Sequence, residues 1–157
     1  MIESNQHHFN KWEVTLISKE VIKWEAFIKL SNKLYKKLTL KNFDGIIPIG
    51  RGGTIIGSIF ASKLGTRIHP VFVVHTGKGS EKTTRIVELG VTPALSDGRY
   101  LLVDDKCYTG QTFNLLKKNL KDLRLETAAL ICHGNDYQPN YYALNVNKEI
   151  ILPYEFP

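Results

Sequence analysis

From Phe43 onward, short apolar runs alternate with stretches of helical periodicity. The runs are Gly45 to Ile49, Ile68 to Val74, Tyr100 to Val103 and Ala128 to Cys132. Thr54 to Leu64 follows the first run, with Ile55, Ile56, Ile59 and Phe60 at helical spacing; Thr112 to Leu123 precedes the last, with Phe113, Leu115, Leu116 and Leu120. Strands alternating with helices predict βαβ units and a parallel sheet rather than a sandwich or a bundle. Upstream, Val21, Trp24, Phe27, Ile28, Leu34 and Tyr35 recur at helical spacing between Ser18 and Leu38, with lysines at other positions. That pattern predicts one amphipathic helix whose lysines form a solvated face. The remaining gap, His75 to Gly98, holds Gly77, Gly79, Gly90, Pro93 and Gly98 among Lys78, Lys82 and Arg85. It predicts a mobile excursion with a short hairpin, and loops of this length are uncommon unless functional. The tail from Gly134, rich in Asn and Tyr and ending in the run Ile150 to Leu152, is expected to be a small appendage on the sheet.

A chain of 157 residues has room for one compact domain, and 43% hydrophobic with 23% charged residues excludes disorder. Lys plus Arg at 21 against Asp plus Glu at 15 leaves a net charge of +6, which favours anionic partners. Cys107 and Cys132 are too few for a disulfide framework. The N-terminal stretch with His7 and His8 has no apolar run resembling a signal peptide, and no segment approaches the ~18 apolar residues of a membrane span. A soluble, cytoplasmic protein without membrane association is expected.

The most informative stretch is Tyr100 to Thr112. A buried strand delivers Asp104 and Asp105 at its carboxyl end, a short loop follows, and a helix begins near Thr112. In open α/β sheets ligands bind just outside such strand ends. Through Tyr108, Thr109, Gly110, Gln111 and Thr112 the backbone can turn successive N–H groups inward at a helix N-terminus, with Gly110 permitting close approach. The result is a phosphate cup rimmed by two carboxylates, which accept hydrogen bonds from ribose hydroxyls or hold Mg²⁺ directly or through water. After the first strand, Gly50, Gly52 and Gly53 surround Arg51, exposing amides to a polyanion and adding a permanently charged clamp that suits pyrophosphate. Ile55 stands where a dinucleotide-binding Gly-x-Gly-x-x-Gly needs its third glycine.

Together the two segments resemble the type I phosphoribosyltransferase family. Leu101 to Thr112 is similar to that family's phosphoribosyl pyrophosphate (PRPP) signature, aliphatics, two acids, three variable residues and Thr-Gly-x-Thr, and Gly50 to Gly53 is similar to its pyrophosphate loop. The short length, the Arg-Gly-Gly form and Leu152-Pro153-Tyr154-Glu155 are most similar to the xanthine-guanine and hypoxanthine enzymes. The resemblance implies a three-layer α/β fold: a central, mostly parallel sheet flanked by helices, with a flexible loop and a small C-terminal hood. It implies a core over about 18–133 and a hood from 134–157 with N-terminal residues. It also implies transfer of a nucleobase, a 6-oxopurine, onto PRPP in purine salvage, with Mg²⁺ as cofactor and a homodimer or homotetramer as the assembly. Arg51, Asp104, Asp105 and Tyr108 then stand at catalytic positions, Asp104 and Asp105 at the metal, and His133 and Tyr154 at the base.

Three positions depart from the purine enzymes' pattern. Tyr108 stands where those enzymes carry an aspartate, and a phenol with a pKa near ~10 is a poor base at neutral pH. Tyrosine there is similar instead to the pyrimidine-operon regulators that also act as uracil phosphoribosyltransferases. His133 replaces the lysine that meets the purine O6, and the stacking aromatic falls near Glu149 or Ile150. A uracil-type enzyme, or a non-catalytic PRPP-binding or RNA-binding regulator on the same fold, is therefore the alternative reading.

Overall fold

The computed structural model describes residues 19–76, 83–89 and 95–155. The expectations made for His7, His8, Lys78 and Lys82 lie outside the described residues, and Arg85 is described through its backbone alone. The elements in chain order are β1 (Lys19–Val21), α1 (Trp24–Leu38), β2 (Gly45–Pro48), α2 (Gly50–Leu64), β3 (Arg67–Ile68), β4 (Val71–Thr76), β5 (Thr83–Leu89), β6 (Arg99–Cys107), α3 (Gln111–Asn119), β7 (Arg124–His133), β8 (Tyr141–Val146) and β9 (Glu149–Ile151). Five strands form the central sheet in the order β3-β2-β6-β7-β8, every neighbouring pair parallel. Beside it, β4 and β5 form an antiparallel hairpin and β1 pairs with β9.

Period-two alternation along the central strands divides the core into two layers. Leu101 and Val103 of β6 pack with Phe27, Leu34 and Leu38 of α1 and Ile56 and Phe60 of α2. Tyr100 and Leu102 turn the other way, onto Phe113 and Leu116 of α3. Strands covered on both faces need apolar residues on both, which is why β6 and β7 read as unbroken apolar runs.

Several boundaries differ from the sequence reading. α1 begins at Trp24 rather than Ser18, because Lys19–Val21 is drawn into register with Glu149–Ile151. α2 begins at Gly50, four residues before Thr54. The run Ile68 to Val74 is two strands: β3 ends before His69 and Pro70, and β4 starts at Val71. The tail is more than an appendage, since Tyr141–Val146 adds β8 to the central sheet beside β7. That parallel neighbour is reached across residues 134–140 alone, where such a connection usually takes a dozen residues or more. Gly134 turns the chain at φ +71°, and Asn140 Oδ1 accepts from the Thr127 N–H at 2.8 Å, tying the far end of the crossover to mid-β7.

Candidate active site

Both phosphate-directed segments stand at the carboxyl edge of the parallel sheet. β2 ends at Pro48, and Gly50, at φ +60°, turns the chain directly into α2. β6 ends at Cys107, and Gly110, at φ +69°, turns the chain into α3. Each helix therefore points its first-turn amides, which have no intrahelical acceptor, at the same space. A cavity of about 820 Å³ fills that space, lined by Gly50, Arg51 and Gly52 on one side and by Asp104, Asp105 and Tyr108 through Phe113 on the other. Its volume lies in the usual range for small-molecule sites, roughly 300–1,000 Å³.

The two segments also touch. A Cβ placed on Gly52 would lie 1.9 Å from Asp105 Oδ2, so the carboxylate occupies the room a side chain would need. A Cβ on Gly53 would lie 2.4 Å from the Val103 carbonyl oxygen, and the Ile49 N–H donates to that same carbonyl at 2.8 Å. The start of α2 is thus pressed against the end of β6: at Gly53 the obstacle is backbone and only glycine fits, and at Gly52 a side chain would displace the Asp105 carboxylate. Arg51, immediately before them on the helix, is exposed at the cavity wall.

The acid pair is held asymmetrically. Asp104 Oδ1 accepts from the Asp105 N–H at 2.8 Å, and Asp105 Oδ1 accepts from the Lys106 N–H at 2.8 Å. Tyr154 Oη donates to Asp105 Oδ2 at 2.9 Å. Burial, reinforced by the neighbouring Asp105 charge, pushes the Asp104 carboxyl well above the usual carboxylate range. The Tyr154 hydroxyl is pushed far up by burial and by Asp105, so it stays a donor. Lys106 Nζ reaches both Glu155 oxygens, at 2.7 and 2.6 Å.

At the end of β6, the Tyr108 ring, which lines the cavity, lies flat on His133, which does not, with centroids 4.0 Å apart and planes 8° from parallel. The stack leaves His133 Nε2 buried with no partner among the described residues. Burial, followed by the Lys106 charge, lowers the His133 pKa, so the imidazole is neutral at physiological pH. Tyr108 is 48% exposed, and burial with the Glu149 and Glu155 charges raises its hydroxyl above its ordinary value. Thr109, Gln111 and Thr112 line the cavity.

Tyr154 sits differently from its expected place at the base. Its ring packs edge-on against Phe27 and tilted against Trp24, and its hydroxyl is spent on Asp105. Tyr137 went unnoticed in the sequence: its ring covers Gly110, where an added Cβ would meet Tyr137 Cγ at 2.2 Å, and it stacks on Phe113. Glu149 and Glu155, which line the same cavity, carry no motif of their own. The Cys107 thiol, beside the cup, is pushed up to about 12 by burial, so the helix N-terminus has not activated it.

A family model for the phosphoribosyl transferase domain matches residues 18–155. The chain belongs to this family. The family's pentosyltransferases are enzymes, and the relatives found include two of purine type. A purine phosphoribosyltransferase from Pyrococcus horikoshii is 26% identical, with a TM-score of 0.78 over 88% of this chain and 96% of its own. A xanthine-guanine phosphoribosyltransferase from Idiomarina loihiensis is 26% identical over 108 residues, 68% of this chain and 67% of its own. A hypothetical protein from Neisseria gonorrhoeae with bound ppGpp is 18% identical and shares the fold, with a TM-score of 0.77 over 90% of this chain and 91% of its own. The phosphoribosyltransferase fold accounts for the parallel sheet and flanking helices. No described helix is long and apolar enough to cross a membrane.

Proposed function

We propose that the protein joins a nucleobase, a 6-oxopurine, to PRPP, releasing pyrophosphate and forming a nucleoside monophosphate, as a cytoplasmic salvage enzyme working as a homodimer or homotetramer. The observation that carries this reading is the contact of Asp105 with Gly52, which puts the acid pair and the arginine-bearing glycine turn on two walls of one cavity. One sugar carrying a phosphate at one end and a pyrophosphate at the other spans that arrangement. The amides of Thr109 to Thr112 take the 5-phosphate, and Arg51 with the Gly50 to Gly52 amides takes the pyrophosphate, the expected Gly53 amide being spent on the Ile49 carbonyl at 3.1 Å.

In the reaction the bond from the anomeric carbon to pyrophosphate breaks with its electron pair leaving on pyrophosphate, and a base nitrogen forms the new bond and loses its proton to solvent water. Positive charge develops on the sugar and negative charge on the leaving group. Asp104 and Asp105 stand beside the first and Arg51 beside the second, and preorganised charge of this kind is usually the largest catalytic contribution. Tyr108, with its hydroxyl raised, serves as a neutral wall of the base pocket and not as the proton acceptor. His133, neutral, offers Nε2 to an exocyclic group of the base once the Tyr108 ring makes room.

The donor set fits Mg²⁺ in one particular form. Two carboxylates with no cluster of three metal-ligating side chains among the described residues suit an ion that arrives largely on substrate oxygens and water. Bound there, Mg²⁺ would neutralise the leaving pyrophosphate.

Labelled PRPP with guanine, xanthine, hypoxanthine, adenine, uracil and orotate tests the assignment. Consumption of a 6-oxopurine is expected; exclusive use of uracil would move the chain to the other base class, and PRPP binding without turnover would make it a regulator. Arg51→Ala should cut turnover about a hundredfold or more while changing stability by no more than about 0.5 kcal/mol, because the side chain is exposed. Equal loss of both in parallel melting and turnover assays would mark Arg51 as structural.

A further inference from the structure

We propose that Tyr154 is a positioning residue for PRPP: the hydrogen bond it donates to Asp105 fixes the orientation in which that carboxylate meets the ribose, so the C-terminal turn sets PRPP affinity without touching PRPP. The inference rests on the reading above that Asp105 faces the sugar.

Asp105 needs such a brace. Its contact on α2, Gly52, has no side chain to restrain it, and its own strand contributes only the Lys106 N–H to Oδ1. Oδ2 is held by Tyr154 alone among the described residues. Each carboxylate oxygen has two lone pairs, so with one bond made to each, both keep an acceptor site for a ribose hydroxyl. The brace is rigid. The Tyr154 ring is wedged with its centroid 5.7 Å from that of Phe27, at 89°, and 6.3 Å from that of Trp24. Phe27 is buried, which anchors the ring to the core face of α1.

The turn that carries Tyr154 is closed on itself. The Glu155 N–H donates to the Leu152 carbonyl at 2.9 Å, and the Leu152 N–H donates to Glu155 Oε2 at 2.7 Å. Leu152 is fully buried. Two consecutive residues of the turn therefore grip two consecutive residues at the end of β6: Tyr154 holds Asp105, and Glu155 holds Lys106. Tyr154 itself does not line the cavity, whereas Asp105, Lys106 and Glu155 do. Its influence on substrate must pass through the carboxylate.

The test is Tyr154→Phe in the full-length protein, which keeps the ring and removes only the donor. PRPP binding in the presence of Mg²⁺ is read by titration calorimetry, together with steady-state KM for PRPP and for the base, and the melting temperature. The PRPP Kd and KM should rise about tenfold, the scale of one charge-assisted hydrogen bond, with the KM for base within twofold and melting nearly unchanged. In an Asp105→Asn background the same change should add little further loss, since the two residues act as one unit. An unchanged PRPP Kd would overturn the inference. So would a raised base KM at constant PRPP affinity, which would make the ring a base contact. Glu155→Gln, which loosens the same turn through Lys106, should raise the PRPP Kd by a smaller factor and provides the reading if Tyr154→Phe folds poorly. Wild-type protein that fails to bind PRPP would sink the functional assignment itself, whereas wild-type binding with unaffected variants would sink only the role of Tyr154.

Discussion

Asp104 and Asp105 are adjacent carboxylates on one strand, and strand alternation sends them to opposite layers: Asp105 toward Gly52 and Tyr154, Asp104 to the side of Leu102 and α3. Among the described residues, Asp105 alone of the two gains a side-chain donor. Asp104 is desolvated beside a like charge, and its carboxyl is raised well above the ordinary range. For a raised acid, ionisation costs the native state more than the unfolded chain. The penalty is absent below the unfolded value near ~4, grows as pH rises from there toward the raised native value, and is constant above it. Asp104→Asn should therefore stabilise the protein at neutral pH by roughly 1 kcal/mol while abolishing PRPP turnover, as active-site acids often oppose stability. Melting curves at pH 7.5 and near pH 4 check the sign: the gain should vanish at the lower pH, and a gain constant with pH would contradict the unfavourable charge. At this scale the cup and the acid pair could be read from Leu101 to Thr112 and the arginine turn from Gly50 to Gly53, since the chemistry of each is local in the chain. Tyr154 on Asp105 could not be, because the two are brought together by packing against Phe27 and Trp24 and no spacing rule encodes that contact.

The helices and strands were legible where periodicity is strong and short-range. The α2 and α3 patterns, and the apolar runs that became β2, β6 and β7, lie where the alternation of the sequence places them. Boundaries drifted where a distant partner decides them, as at Lys19–Val21, whose exposed residues are strand only through β9. β8 was missed for a different reason: a parallel neighbour reached by so short a crossover runs against the expectation of an intervening helix, and its mixed, half-buried residues look like tail. The start of α3 depends on a single position. Gly110 combines φ +69° with a Tyr137 ring pressed onto its Cα, so Gly110→Ala meets both backbone strain and a collision. A loss of about 3 kcal/mol is expected in denaturant unfolding, with phosphate affinity of the cup falling in step. A change below about 1 kcal/mol would mean that the Tyr137 ring yields freely.

For the molecule as a whole, the fold class was visible early because βαβ alternation is a global pattern written in local repeats, while the pairing order of the strands was not. That order has a kinetic corollary. The short crossover after His133 sets Ala128 of β7 against Tyr141 of β8, partners close in sequence, whereas β2 meets β6 through Gly45 and Tyr100. Closing a long loop costs more entropy than closing a short one and slows the contacts that depend on it. The β7–β8 edge is expected to nucleate the sheet, with β6 adding next and β2 last. Pulse-labelled hydrogen exchange should find amides of β7 and β8 protected before those of β2; simultaneous protection, or the reverse order, would refute it. Because α2 rides on β2, ligand competence would then be the final event of folding, so a nascent or partly refolded chain would own a half-built sheet long before it could capture a phosphorylated sugar.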